Sequence, residues 1–405
     1  MAPHVLCTGG EDHHLRIPFL VALRARGFRV SAAGTGDPTP FADVGIAYHR
    51  YHFDRFDTCR PHHATIRQIQ QIAHASAPDL VQTFDTKPGL LVPLALRGTR
   101  PVVRTINGMG WLFSTANPRT LLLRPLYLAL QRLAARWTSA VVFQNGDDKR
   151  LFDRLHLLGR CPAVLIAGSG IDIAAFERER VGAKAVHALR RAFGLQAAPV
   201  VLTVTRLTKQ KGIPTLLRAA GAVHAVRPDV RFLLVGPRES EGPFAVDAAA
   251  LADHSAYVIA PGPRADVPAL LGIADVFAFP TEYREGVPRV LLEAGLAGLP
   301  IVTTRMPGCT DIVRDGWNGY CVAPRDARAL ASRLLALLDD PVTARQMGRR
   351  SPEAVRRNFA LEAVLDGYER VYARVLSVRS EAASRALAGC DHADRGRATT
   401  VEPSP

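Results

Sequence analysis

Two short stretches hold residue types suited to a phosphorylated sugar. In the first, Arg206-Leu-Thr-Lys-Gln-Lys211-Gly212, two cations follow the apolar run Val200–Val204 and precede a helical pattern at Ile213–Val226. Cations beside the free N–H groups of a helix N-terminus suit a diphosphate leaving group. Without a metal, such side chains must carry the charge that builds on that group. A solvated basic loop shows the same residues, and Lys209 adds a third cation. In the second stretch, Asp275-Val-Phe-Ala-Phe-Pro280 runs into Thr281-Glu-Tyr-Arg-Glu285-Gly286-Val287-Pro288 and a helix holding Glu293. Gly286 permits close backbone approach by a ligand, and Pro288 suits the first helical position. Eight residues is a little over two helical turns, so Glu285 and Glu293 are expected to look toward one side. Paired carboxylates accept hydrogen bonds from adjacent sugar hydroxyls, although two glutamates on a surface helix are commonly just solvated.

Missing motifs narrow the chemistry. No G-x-G-x-x-G follows a strand, so a nicotinamide enzyme is not expected, and no G-x-x-x-x-G-K-[ST] is present. No two aspartates stand one residue apart, so the D-x-D metal clamp is absent. The pairs His13-His14 and His62-His63 lack metal-site spacing and acidic partners. Neither a metal nor another cofactor is expected.

The elements that must position these residues alternate. Val5-Leu6-Cys7 reads as a strand ending at Gly9-Gly10, then a helix with Ile17, Leu20, Val21 and Leu23 on one side, then a strand at Phe28–Ala33. Further strands are expected at Leu80–Phe84, Pro101–Ile106 and Ala140–Phe143. After a charged stretch near 177–191 the rhythm restarts at Val200–Val204, Arg231–Val235, Tyr257–Ala260, Val276–Phe279 and Ile301–Thr304. This is an α/β pattern of parallel sheets covered by helices. It predicts two doubly wound domains facing across a cleft, at about 1–175 and 176–375, each binding ligand at the carboxyl ends of its strands. The last helix, about 352–375, is expected to have the option of crossing back. Residues 376–405 lack an apolar period and read as a disordered tail.

The 405 residues include 51 Lys+Arg against 37 Asp+Glu, a net charge of +14, which suits an anionic partner. Only five of the basic residues are Lys, so an Arg is weak evidence of function in this chain. No stacking platform or helix-turn-helix signature appears, which argues against nucleic acid. Six scattered cysteines fit free thiols in a reducing cytosol, and no apolar run reaches about 18 residues. A helix is expected near 120–137, with Leu121, Leu122, Leu126, Leu130, Leu133 and Trp137 facing one way and Arg119, Arg124, Arg132 and Arg136 interleaved. Such a helix can dock on an anionic membrane or pack on a core. The expected location is cytoplasmic, with peripheral attachment to the inner face of the plasma membrane left open.

One further pattern points to a family. Pro280-Thr281-x-x-x-Glu285-Gly286-x-Pro288-x-x-x-Leu292-Glu293-Ala294-x-x-x-Gly298-x-Pro300-Ile301-Val302-x-Thr304 continues through Pro307-Gly308 and Ile312-Val313-x-Asp315-Gly316-x-Asn318-Gly319 to Pro324-x-Asp326. With Arg206-x4-Lys211, it resembles the retaining GT-B enzymes of glycosyltransferase family 4. Asp12-His13-His14-Leu15-Arg16-Ile17-Pro18 resembles the family's acceptor-side segment, and Thr83-Phe-Asp85-Thr-Lys87-Pro88-Gly89 and Thr105-Ile-Asn107-Gly108-Met109-Gly110-Trp111-Leu112-Phe113 resemble elements of enzymes acting on lipid-linked saccharides. The histidine that many members place before the last loop is missing.

The resemblance implies Glu285 beside the donor sugar, Glu293 on the ribose hydroxyls, and Arg206 and Lys211 on the diphosphate. It implies catalytic roles for Glu285, Arg206 and Lys211, and a donor site of Gly10, Arg206, Lys211, Glu285, Gly286, Val287 and Glu293. The acceptor side would hold His14, Arg16, Lys87 and Asn107. The implied activity moves a hexose or N-acetylhexosamine from a nucleotide-diphospho sugar, UDP-linked by expectation, to an undecaprenyl-diphosphate-linked saccharide. A sugar-nucleotide epimerase of the same fold and a non-catalytic nucleotide-binding scaffold are the alternatives.

Overall fold

The computed structural model describes residues 2–53, 62–114 and 118–395. Seven parallel strands form the first sheet: β1 (His4–Thr8), β2 (Arg29–Gly34), β3 (Ala47–Arg50), β4 (Leu80–Thr83), β5 (Val102–Ile106), β6 (Ala140–Phe143) and β7 (Ala163–Leu165). Their order is β3-β2-β1-β4-β5-β6-β7. Six more form the second sheet: β8 (Val200–Val204), β9 (Arg231–Val235), β10 (Val258–Gly262), β11 (Val276–Phe279), β12 (Ile301–Thr304) and β13 (Gly319–Val322). Their order is β10-β9-β8-β11-β12-β13.

In each sheet the order reverses beside the first strand, so β1 lies between β2 and β4, and β8 between β9 and β11. Ligands bind outside the strand ends at such a switch point. The strands read as unbroken apolar runs because helices cover both faces. Val5 and Cys7 pack on one face with Phe19, Leu20 and Leu23, while Leu6 packs on the other with Ile69 and Val92. In the second domain Val200 and Leu202 face one cluster and Val201 the opposite one.

The chain crosses between domains at 166–172 and again at Ala360, and the crossings touch. Ile171 and Ala360 form a parallel bridge, with the Ile171 N–H donating to Phe359 O at 2.9 Å and the Leu361 N–H to Ile171 O at 3.1 Å. The helix Pro341–Phe359 stays with the second domain through Met347, Val355 and Phe359. The helix Leu361–Arg395 returns to the first domain and buries Val364, Leu365, Tyr368 and Tyr372 against Val5, Phe19 and Phe84. The return therefore starts at 361 rather than about 352.

The tail reading needs a correction, because that helix runs on to Arg395 past the expected boundary at 376. Residues 376–388 hold mainly Ala, Arg, Glu, Leu and Ser, with no Gly or Pro, and good helix formers readily extend a helix already nucleated by packing. Residues 396–405 lie outside the described residues.

The expected amphipathic helix spans Pro118–Ala135. It buries Gln131, Ala134 and Ala135 and half-buries Tyr127, Leu128, Leu130 and Leu133, while Leu121, Leu122 and Leu126 remain exposed at 49%, 79% and 56%. The leucines thus divide between two faces rather than sharing one. No helix among the described residues is long and apolar enough to cross a membrane.

Candidate active site

Arg206 and Lys211 leave the carboxyl end of β8, and Glu285 the end of neighbouring β11. Lys209–Lys211 is a single 3₁₀ turn, with Thr208 Oγ1 accepting from the Lys211 N–H at 3.3 Å. Gly212 then takes a left-handed conformation, φ +72°, and a Cβ there would lie 1.9 Å from the Pro280 carbonyl oxygen. Glycine at this position lets the turn close on the end of β11. The Lys211 ammonium consequently ion-pairs with the Glu285 carboxylate, to which Thr281 Oγ1 also donates at 3.2 Å. The same ammonium lies 5.7 Å from the Phe279 ring centre and 5.3 Å from that of Tyr283, both in cation–π range.

Arg206 Nη1 donates to Glu241 Oε2 at 3.2 Å, and Glu241 is only 4% exposed. Burial works against the guanidinium charge, but Glu241, Asp12, Tyr283 and Glu285 outweigh it and hold the pKa above the ordinary arginine value. Both cations of the Arg-x4-Lys pair therefore sense Glu285, one directly and one through the field. Glu241, 35 residues away on the loop after β9, is a site residue that the motif did not reveal.

Gly286 sits where the domains meet. A Cβ there would lie 2.1 Å from Gln144 Oε1 and 3.0 Å from the Asn107 backbone. Asn145 Nδ2 donates to the carbonyls of Glu285 and Gly286 at 3.1 and 3.3 Å. Arg284 Nη2 donates to the fully buried Asp148 at 2.8 Å, and the Arg284 N–H to Ser114 Oγ at 2.9 Å. The Asp148 carboxyl is raised above its ordinary range by burial, with Arg284 and Asn145 opposing. The Glu285 loop is thus held by the first domain on both sides of Glu285.

The helical-spacing argument for Glu285 and Glu293 needs correction. The helix starts at Arg289, and Pro288, with ψ 118°, is its extended N-cap rather than its first helical residue. Glu285 therefore lies on a loop, and the two carboxylates have different partners. Glu293 accepts from Arg289 Nε at 2.9 Å and is 13% exposed. Burial raises its pKa, Arg289 opposes, and Glu179 adds to the rise. Val287 packs its side chain in the second domain's core, so only its backbone could face a ligand.

In the first domain, Asp85 gathers two of the expected residues. Its Oδ2 accepts from the Gly10 N–H at 2.9 Å and its Oδ1 from Asn107 Nδ2 at 3.0 Å, joining the ends of β1, β4 and β5. Asp85 itself adopts φ +69°, ψ 161°, a region left almost wholly to glycine. Lys87 lies 5.4 Å from the Phe53 ring centre, and Arg16 4.6 Å from that of Phe84. His14 is exposed, whereas His13 is buried and stacks on Phe41 with ring centres 5.4 Å apart. Gly10 and Asn107 are therefore brought together on Asp85, while Arg16 and Lys87 rest on the Phe84 and Phe53 rings. Glu11, Asp12 and Leu15 face Arg206, Ser240 and Glu241 across a cleft of about 550 Å³.

Comparison with known proteins agrees with this geometry. Residues 19–175 match the description Glycosyltransferase Family 4, and residues 198–340 match Glycosyl transferases group 1. Spore coat protein SA of Bacillus subtilis is 29% identical over 52% of this chain, which spans 56% of that protein's length. The N,N'-diacetylbacillosaminyl-diphospho-undecaprenol alpha-1,3-N-acetylgalactosaminyltransferase of Campylobacter jejuni is 23% identical over 89% of this chain and 92% of its own. Anabaena HepE, crystallised with UDP and glucose, superposes with a TM-score of 0.75 at 20% identity, over 92% of this chain and all of its own. With its two switch-point sheets and the Lys211–Glu285 pair between them, the chain belongs to glycosyltransferase family 4 and is a glycosyltransferase of GT-B fold.

Proposed function

We propose that the protein transfers a hexose or N-acetylhexosamine from a UDP-sugar to an undecaprenyl-diphosphate-linked saccharide in cell-envelope glycan assembly, with retention at the anomeric carbon. The observation that carries this reading is the buried Lys211–Glu285 pair beside Arg206 at the carboxyl ends of β8 and β11. The acceptor oxygen bonds to the anomeric carbon on the face the diphosphate leaves, and its proton passes to the leaving diphosphate oxygen. Lys211 and Arg206 offset the charge gathering there, which is where electrostatic help lowers the barrier most. Glu285 lies beside the sugar, and Glu293 accepts from the ribose hydroxyls. The name of the Campylobacter relative, with its diphospho-undecaprenol saccharide, supports the acceptor class, and the ligands of the Anabaena protein support the donor.

A mass-resolved assay tests the reading. UDP-hexoses and UDP-N-acetylhexosamines are each incubated with an undecaprenyl-diphosphate-linked N-acetylglucosamine, with and without EDTA. The expected result is one added sugar on the lipid, unaffected by EDTA. Loss of turnover in EDTA and its return with Mg²⁺ or Mn²⁺ would contradict the cation assignment. An altered UDP-sugar formed without acceptor identifies an epimerase, and UDP binding without product across the panel identifies a scaffold.

A further inference from the structure

A second basic pocket, distinct from the Arg206–Lys211 site, opens where the two domains meet. It has a volume of about 530 Å³ and is lined by four arginines and one carboxylate, Asp147. Arg150 and Arg154 come from the helix Gly146–Arg154 of the first domain, and Arg284 and Arg305 from the loops after β11 and β12 of the second. Arg284 is fixed by Asp148 underneath and by Ser114 at its backbone, and its Nε is buried without a hydrogen-bond partner. Arg150 pairs with Asp147 at 2.7 Å and Arg305 with Asp315 at 3.4 Å, all four side chains being well exposed. Such exposed pairs are weak and easily exchanged. Arg154 has no ion pair among the described residues. A guanidinium carries five N–H donors, so at most one carboxylate each leaves the pocket rich in unused donors.

Its surroundings narrow what it could hold. The helices Pro118–Ala135 and Gly146–Arg154 pack on the same sheet face through Tyr127, Leu128, Leu151 and Phe152. The first of them exposes Leu121, Leu122 and Leu126. On the inner side, Arg284 adjoins Glu285 in the chain.

We propose that this pocket binds a phosphate or diphosphate group and, on the reading given above, the diphosphate of the lipid-linked acceptor. Planar guanidiniums bind phosphate oxygens two at a time, and contributions from both domains would also hold the domains together around the acceptor.

Calorimetry tests it on the whole chain. UDP is titrated first; its failure to bind would strike the donor reading alone. Inorganic diphosphate is then titrated into protein saturated with UDP. The expected result is one further site, weakened by salt, whose affinity falls roughly 10-fold or more in Arg154→Glu/Arg305→Glu. The single Arg154→Ala change, expected to give a smaller fall in the same direction, serves if the double variant does not fold. Geranyl diphosphate in detergent micelles supplies the second arm. Tighter binding than inorganic diphosphate supports the lipid-borne source, while equal affinity supports the anion site and overturns its assignment to the lipid acceptor. No binding to the UDP-saturated native protein, or undiminished binding in a variant with native thermal midpoint, overturns the proposal.

Discussion

The Lys211 ammonium and the Glu285 carboxylate form an ion pair in which the side chains are only 10% and 14% exposed. The two residues are 74 positions apart and sit on adjacent parallel strands' loops, after β8 and β11. Isolating either charge at this depth would be costly, so the pair also fixes the two loops relative to each other.

Gly212 makes that contact possible, and Gly212→Ala should break it. The left-handed conformation costs a non-glycine residue about 1–2 kcal/mol before the clash with the Pro280 oxygen is counted. The expected outcome is a lower thermal midpoint together with weaker UDP binding. Native UDP affinity in this variant would show that the turn does not set the position of Lys211.

Arg206→Ala and Lys211→Ala should each lower kcat/KM by about 10²-fold or more, because leaving-group charge peaks in the transition state. Steady-state kinetics with a UDP-sugar donor reads the loss. Full activity in either variant would move the diphosphate site elsewhere. Lys211→Ala should also reduce stability, since it strands Glu285.

Glu293→Ala should weaken UDP binding by roughly 10–150-fold, the range for a lost hydrogen bond involving a charged group. Calorimetry decides this. Because Arg289 is the partner of Glu293, Arg289→Ala is the control: it removes the ion pair and keeps the ribose acceptor. If the two variants lose the same affinity, the pair is structural and Glu293 does not touch the nucleotide.

Part of this arrangement was legible in the sequence because its residues fall in two short local motifs. Arg206 and Lys211 stand at a fixed offset after β8, and Glu285 and Gly286 after β11, beside strands that announce themselves as apolar runs. Glu241, Asp85 and Asp148 were not legible, because their roles depend on contacts with Arg206, Gly10 and Arg284 at separations of 35, 75 and 136 residues. Nothing local in the sequence distinguishes His13, packed on Phe41, from its exposed neighbour His14. The leucines of Pro118–Ala135 carry no sign of which face the sheet would claim. The extension to Arg395 depends on Tyr368 and Tyr372 anchoring the helix upstream.

His13 should make the fold sensitive to acid. Burial pushes its imidazole down to about 4, with Asp85 opposing and Arg16 assisting. The Cys7 carbonyl approaches the ring, but neither ring nitrogen meets hydrogen-bond geometry. Between about 4 and 6.5 the unfolded imidazole takes up a proton that the folded one refuses, so stability falls as pH drops through that window. By pH 5 the loss relative to alkaline pH amounts to about 2 kcal/mol. His13→Phe, which keeps the stacking on Phe41, should flatten the urea midpoint over this range. An unchanged slope would assign the acid sensitivity to another group.

The exposed leucines of Pro118–Ala135 should attach the protein to anionic membranes. Leu121, Leu122 and Leu126 offer the apolar contact, and each nearby basic side chain adds about 1 kcal/mol at an anionic leaflet. Flotation should show binding to anionic vesicles at low salt, loss at high salt, and loss in Leu121→Ser/Leu122→Ser/Leu126→Ser. Absence of binding at low salt would leave the helix as packing alone and favour an acceptor free in solution.

The return of the chain at Ala360 sets a timetable for biosynthesis. Tyr368 and Tyr372 fill the centre of the first domain, with the Tyr368 hydroxyl 2.8 Å from Thr105 Oγ1 and the Tyr372 hydroxyl donating to Gln82 at 3.0 Å. A ribosome that has completed the first sheet has not yet made the helix that closes it. The second domain, whose strands are emitted later, can finish first, and the first must wait in a partly open form until residue 375 or so has cleared the exit tunnel. A nascent chain stalled once Phe359, but not the helix after it, has left the exit tunnel should therefore present a folded second domain and a protease-sensitive first domain, an inversion of the usual order in which domains mature from the amino terminus.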